Sequence, residues 1–214
     1  MNAIFFIELT LLITSSTLSI IFYTAWRTMG KQKYSLIWTF AFLVIVAQRI
    51  FNLNKASFDS YALYWAIVCS LSVLSVVLGA WGHILRSKSN VNLYYLFGSC
   101  FIAILMTCYF TIIDHHVGLS MSIYVFYNTF ILFLVGIIIL KRPKKTMPAE
   151  IGASAAYILL ALFQGLAATF ALMQGESINE SLKEMYTIVN FVILPSAFIA
   201  MGLFVVFMLS SDLS

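Results

Sequence analysis

Seven long apolar stretches, separated by short polar ones, set the pattern of this chain: about Ala3–Trp26, Tyr34–Leu53, Ser60–Leu85, Val91–Ile112, Leu119–Leu140, Ile151–Gln174 and Tyr186–Leu209. Each reaches the roughly 20 residues that, at ~1.5 Å apiece, cross the hydrocarbon core of a bilayer. The stretches are continuously apolar rather than alternating, which predicts helices and not barrel strands, because only these two forms satisfy the backbone in lipid. The connections are a few residues long and leave no room for a folded domain outside the membrane. The pattern therefore predicts an all-α fold, with residues 1–214 forming one seven-transmembrane helix bundle.

The polar punctuation gives this bundle a direction. Arg27, Lys31 and Lys33 follow the first span, Arg86 and Lys88 the third, and Lys141, Arg142, Lys144 and Lys145 the fifth. Nine of the 12 cations thus fall on one side. The other side carries Lys55 and Lys183 among Asp59, Asp114, Glu176, Glu180 and Glu184. Excess Lys and Arg mark cytoplasmic loops, so the N-terminus is expected outside and the C-terminus in the cytoplasm. Trp26, Trp38, Trp81, Tyr94 and Tyr95 gather near the inner ends, where an interfacial aromatic belt is expected.

Composition agrees: 62% of the residues are hydrophobic and 9% charged, which excludes the soluble class. The net charge of +4 arises in the loop clusters and implies no nucleic-acid partner. The N-terminus lacks the basic region and small-residue cleavage site of a signal peptide, so the first span is expected to be retained. Cys69, Cys100 and Cys108 lie inside spans without CxxC spacing and read as core fillers.

Ionisable residues inside spans are costly and count as functional candidates. Two are present. Glu8 enters span one and Arg49 nears the end of span two, both roughly 6–8 Å deep at ~1.5 Å per residue. Antiparallel neighbours at matched depth can pair and fix helices one and two. Alternatively, Arg49 faces an outward cavity and receives a small polar or anionic ligand, with Gln48 and Asn52 close by; snorkelling to the interface is a third outcome. Tyr64, Tyr109, Tyr124, Asn128, Tyr186 and Asn190 occupy the outer half, and Gln164 the middle of span six; if they converge, they rim a mostly apolar pocket. The candidate ligand-binding set is Arg49, Glu8, Gln48, Asn52, Tyr124, Asn128 and Asn190.

Other chemistry is thin. Asp114-His115-His116 reads as a solvated loop more readily than a metal or pH site. His83 has no second histidine at its depth for haem, and the last span lacks the lysine of a retinal Schiff base. No phosphate loop, zinc signature or nucleophile elbow appears, so no cofactor, metal site or catalytic residue is expected. No internal repeat is evident, and Pro195 alone lies deep in a span. Small residues recur at Gly152, Ala156, Ala161, Gly165 and Thr169 in span six and at Ser196 and Ala200 in span seven, either for packing inside the bundle or for a homodimer.

Two stretches carry a resemblance. Tyr23-Thr24-Ala25-Trp26-Arg27 through Lys33-Tyr34-Ser35-Leu36-Ile37-Trp38-Thr39-Phe40-Ala41 is similar to the first cytoplasmic loop and second span of the multi-span, MASE-like sensor domains of bacterial membrane-bound GGDEF diguanylate cyclases. Leu194-Pro195 to Gly202, then Ser211-Asp212-Leu213, resembles their last span, after which a helical stalk leads to the cyclase. The resemblance implies a sensory module of the bacterial inner membrane that signals through its last helix to a cytoplasmic effector. No GGDEF motif or kinase domain lies within the 214 residues, so the chain is either the sensor portion ahead of its stalk or a stand-alone relative. A small transporter or permease is the rival expectation, and a partner-binding membrane subunit a third.

Overall fold

A computed structural model of the chain describes residues 3–28, 30–141 and 147–212. Arg142, Lys144, Lys145, Leu213 and Ser214, which figure in the sequence reading, lie outside these residues. Seven helices among them are long and apolar enough to cross a membrane: α1 (Ala3–Thr28), α2 (Lys33–Leu53), α3 (Tyr61–Ser87), α4 (Leu93–Ile113), α5 (Val117–Leu140), α6 (Pro148–Leu172) and α7 (Glu180–Ser211). No strand occurs among the described residues. Apolar side chains stud the outer surface, with Ile20 66% and Phe101 63% exposed. Water would not tolerate so continuous an apolar surface, and lipid does; the fold is that of a multi-pass membrane protein.

Short polar residues start the helices. Ser60 accepts from the Leu63 N–H at 3.3 Å, Asn92 from Tyr94 at 2.9 Å, and Asn179 from Ser181 and Leu182 at 3.1 and 3.3 Å. His116 does the same for α5, its Nδ1 accepting from Leu119 at 3.2 Å, while His115 Nδ1 lies 2.9 Å from the Thr111 carbonyl. Both members of the His-His dipeptide are thus engaged in local structure. At α6, Pro148 occupies the first turn, where its missing N–H costs nothing, and the Glu150 carboxylate returns to the Met147 N–H at 3.1 Å.

Helices α1, α2, α3, α5, α6 and α7 form a ring, and α4 packs outside it against α3 and α5. Around the ring the α5–α6 contact is the most extensive and the α1–α7 contact the slightest. Small residues bring backbones together: Ser154 Oγ donates to the Gly136 carbonyl at 2.8 Å, Gly152 faces Phe204, and Gly165 faces Thr129. The Gly152 and Gly165 positions of the span-six stripe are therefore used within the bundle. Along α1 and α7 the slight contact leaves a groove of about 310 Å³, lined by Phe6, Ile7, Thr10, Phe191, Pro195 and Ile199.

Two features depart from the sequence expectation. Trp38 does not belong to an interfacial belt: it is fully buried, packed edge-on or tilted against Phe22, Tyr34 and His83, and donates to the Gly79 carbonyl at 3.3 Å. Gly82 makes the room, since a Cβ there would collide with the indole. Tyr94 and Tyr95 do stand exposed. Second, two helices are not regular. Tyr109–Ile113 in α4 and Val189–Ile193 in α7 are π-helical turns.

Glycine substitutions separate close approach from open surface. Gly118 donates to the Gly175 carbonyl at 2.8 Å, and a Cβ would lie 2.9 Å from the Leu172 oxygen. Gly118→Ala is expected to lower stability by about 1–3 kcal/mol through overpacking. Gly98, whose Cβ would meet nothing within 4 Å, should gain up to about 1 kcal/mol on change to Ala. Thermal unfolding of the two purified variants in detergent checks the contrast.

Candidate functional site

The ion pairs inside this bundle lie at its two ends. At the end where α1 starts, Glu8 on α1 is buried, and Arg49 on α2 donates from Nη1 to both carboxylate oxygens at 3.2 and 3.1 Å. Asn52, one turn from Arg49, donates to Glu8 at 3.1 Å and accepts from the Tyr64 hydroxyl at 2.9 Å. Matched depth on adjacent antiparallel helices thus brings Glu8, Arg49 and Asn52 together. Arg49 spends one nitrogen on the pair, and its Nε is buried without a partner. Gln48 turns elsewhere, donating to the Val68 carbonyl at 3.2 Å.

The remaining candidates form separate contacts. Tyr124 on α5 and Tyr186 on α7 share a hydrogen bond of 3.2 Å, and Asn190 donates to Tyr186 at 3.4 Å. Asn128 bonds Ser72 on α3 at 3.0 Å. The set therefore does not converge on one pocket. An aromatic row nevertheless joins the first group to the second. Tyr64 packs on Tyr61 at 5.9 Å between centroids, Tyr61 on Trp65 at 6.1 Å, and Trp65 edge-on to Tyr124 at 6.1 Å. Lys55 sits over Tyr61 at 4.9 Å, adding a cation–π contact to the row.

The opposite end holds a cluster that the sequence reading missed. Arg86, expected to be a loop cation at the membrane surface, is instead 1% exposed along its side chain. Its Nε and Nη2 donate to the two oxygens of Asp212 at 2.7 and 2.9 Å, and its Nη1 meets Glu150 at 3.0 Å. Tyr34 donates to Asp212 at 3.1 Å, and the Met208 sulfur lies 3.7 Å from Nη1. One guanidinium thereby ties α3 to α6 and to the end of α7, with α2 joining through Tyr34. The planar fork of Arg fits this two-carboxylate arrangement, and a lysine ammonium would not span it.

One turn back on α3, His83 Nε2 lies 2.8 Å from the Tyr157 hydroxyl. Its ring packs between Tyr157 and Trp38, 4.9 and 4.8 Å away. A signal for the cluster was present in the sequence. Of the eight acids, Glu150 and Asp212 alone sit at the end crowded with cations.

No family model, curated protein or solved structure matches this chain. Its function is therefore argued from the arrangement just described. That arrangement suits recognition and mechanical coupling: one partly accessible arginine at one end, one buried arginine at the other, and an aromatic row leading from the first toward the last helix.

The two ion pairs should respond differently to mutation. Arg86→Met leaves Glu150 and Asp212 without their buried cation, and is expected to cost about 3–5 kcal/mol. Arg86→Lys should recover only part of that. Glu8→Ala should cost less, about 1–2 kcal/mol, because Arg49 is 21% exposed and its long side chain can turn toward the interface. Unfolding of each variant in detergent, followed by circular dichroism, gives the order.

Proposed function

We propose that the chain is a sensory signal-transduction module of the bacterial inner membrane, N-terminus outside and C-terminus cytoplasmic. It receives a small polar or anionic ligand at Glu8, Arg49 and Asn52, and passes the event through α7 to a cytoplasmic effector such as a diguanylate cyclase. The observation that carries this reading is the unbroken row from the charged pair to the last helix: Asn52, Tyr64, Tyr61, Trp65, Tyr124, Tyr186. On this reading a shift at Asn52 reaches Tyr186 through the ring-to-ring contacts of the row and the Tyr124–Tyr186 hydrogen bond.

Charge supports the orientation. Arg86 leaves the count of loop cations, being buried and paired, which turns nine into eight against Lys55 and Lys183 on the other side. Arg27, Lys31, Lys33, Lys88 and Lys141 are exposed as topology signals require. Arg49 meets Glu8 through Nη1 and keeps 21% of its side chain exposed, so an anion that displaces Glu8 would be met by the guanidinium fork. The ligand shifts the module only by its differential affinity for the two states of the bundle.

A fusion of the chain to a diguanylate cyclase reporter tests this. Wild type should respond to at least one member of a panel of carboxylates and phosphates. Arg49→Ala should abolish that response, and Asp212→Asn should change basal output several-fold by loosening the end of α7. A reporter deaf to the whole panel, or an Arg49→Ala variant that responds like wild type, removes the proposal. Accumulation of a panel compound by proteoliposomes would favour a permease instead.

A further inference from the structure

The last helix is built unevenly. Its second half is held on several sides: Asp212 by Arg86 and Tyr34, Gly202 against Leu18, Phe204 against Gly152, and Phe198 against Phe42. Its first third, Glu180–Ile188, has one side-chain hydrogen bond to another helix among the described residues, between the Tyr186 and Tyr124 hydroxyls. Between the two lies the π-turn Val189–Ile193, closed by the Leu194 N–H on the Val189 carbonyl five residues back. Pro195 follows directly. It has no N–H to give the Phe191 carbonyl, and in a regular helix its ring would press on that carbonyl, so the wider turn relieves a local conflict.

A π-turn holds one residue more than the α-helical turn it replaces. If it tightens to α while the second half stays fixed, every residue before it advances by one place. The first third then turns by about 100° and moves about 1.5 Å along the axis. Thr187 arrives where Tyr186 was, and Tyr186 leaves Tyr124. The Thr187 hydroxyl is already committed to the Lys183 carbonyl at 2.7 Å, and its side chain is too short to replace the phenol. The groove beside α1, lined on the α7 side by Phe191, Val192 and Pro195, leaves space for the turn itself to repack.

We propose that α7 is a two-register element: a π-register, with Tyr186 on Tyr124, and an α-register, with Thr187 in its place. Pro195 and the Tyr124–Tyr186 bond hold the first; loss of either favours the second. The inference deepens the signalling reading by naming the part that moves at the end of the aromatic row. It rests on that reading only for its consequence, because the register is measured as a distance, without ligand or effector.

The experiment uses the full chain in lipid nanodiscs, spin-labelled through genetically encoded amino acids at the exposed positions Ala56 and Glu184, and pulsed electron paramagnetic resonance. A turn of about 100° on a helix some 5 Å in radius carries the second label roughly 8 Å. Wild type should show one main distance. Exchange of neighbours, Tyr186→Thr with Thr187→Tyr, should move the population to a second distance, because the phenol now reaches Tyr124 only in the α-register. Pro195→Ala, which leaves both ends of α7 intact, should raise the same second distance in part. Deletion of Val192 removes the extra residue and should keep the first distance alone. The proposal is overturned if the exchange and Pro195→Ala both retain the wild-type distribution, or if the deletion variant adopts the second distance. Reporter failure with a moving distance would sink the signalling reading and leave the register shift standing.

Discussion

The buried guanidinium of Arg86 is the constraint on which the rest of the bundle depends. Apolar side chains facing lipid tails gain little by facing one another instead, so hydrophobic contact alone fixes helix register weakly within a membrane. A charge buried to 1% exposure is different, since it must be met by opposite charge at hydrogen-bond distance or the fold loses several kcal/mol. Arg86 uses all three guanidinium nitrogens, and they point along different directions: two toward Asp212 and one toward Glu150. Those directions fix the relative rotation of α3, α6 and α7. Tyr34 extends the restraint to α2, and the Phe22, Trp38, His83 and Tyr157 rings pack directly behind it.

This anchoring explains why irregularity in α7 is tolerated where it occurs. A helix free at both ends would relax around a proline by bending as a whole. Here the Asp212 end is held, so the conflict between Pro195 and the turn before it is resolved locally, as a π-turn, and the segment beyond takes up the displacement. The displaced segment packs on α6 and reaches α5 through the Tyr124–Tyr186 hydrogen bond. A proline, a buried ion pair and a groove at the lipid face are thus parts of one arrangement.

Much of the fold was legible in the sequence, because bilayer thickness imposes span length and seven stretches meet it. Glu8 and Arg49 were legible as partners for a related reason: a charge inside a span has few ways to be satisfied, and depth can be counted in residues. Arg86 was not. It lies at a span end, where a cation turned outward to headgroups and one turned inward to carboxylates have the same hydropathy; the two acids stranded among cations were the distinguishing mark. Trp38 was misread for the same reason, since proximity to an interface says nothing about facing, and the clearance left by Gly82 belongs to another helix. The π-turns were beyond reach. Segments apolar on every side carry no phase, so an inserted residue leaves no break in periodicity.

The two arginines also show why one end of the bundle suits reception and the other suits restraint. Arg86 offers nothing to a newcomer: every nitrogen is engaged and the side chain is closed off. Arg49 presents Glu8 with a single nitrogen, keeps a buried Nε without a partner, and retains 21% exposure. An anion arriving there gains donors that Glu8 leaves unused, whereas at Arg86 it would have to break three contacts before making one. On the signalling reading, a receptor needs this asymmetry. The pair that meets the ligand must be weak enough to rearrange, and the pair that bears the load must be strong enough that the rearrangement moves only the segment between them.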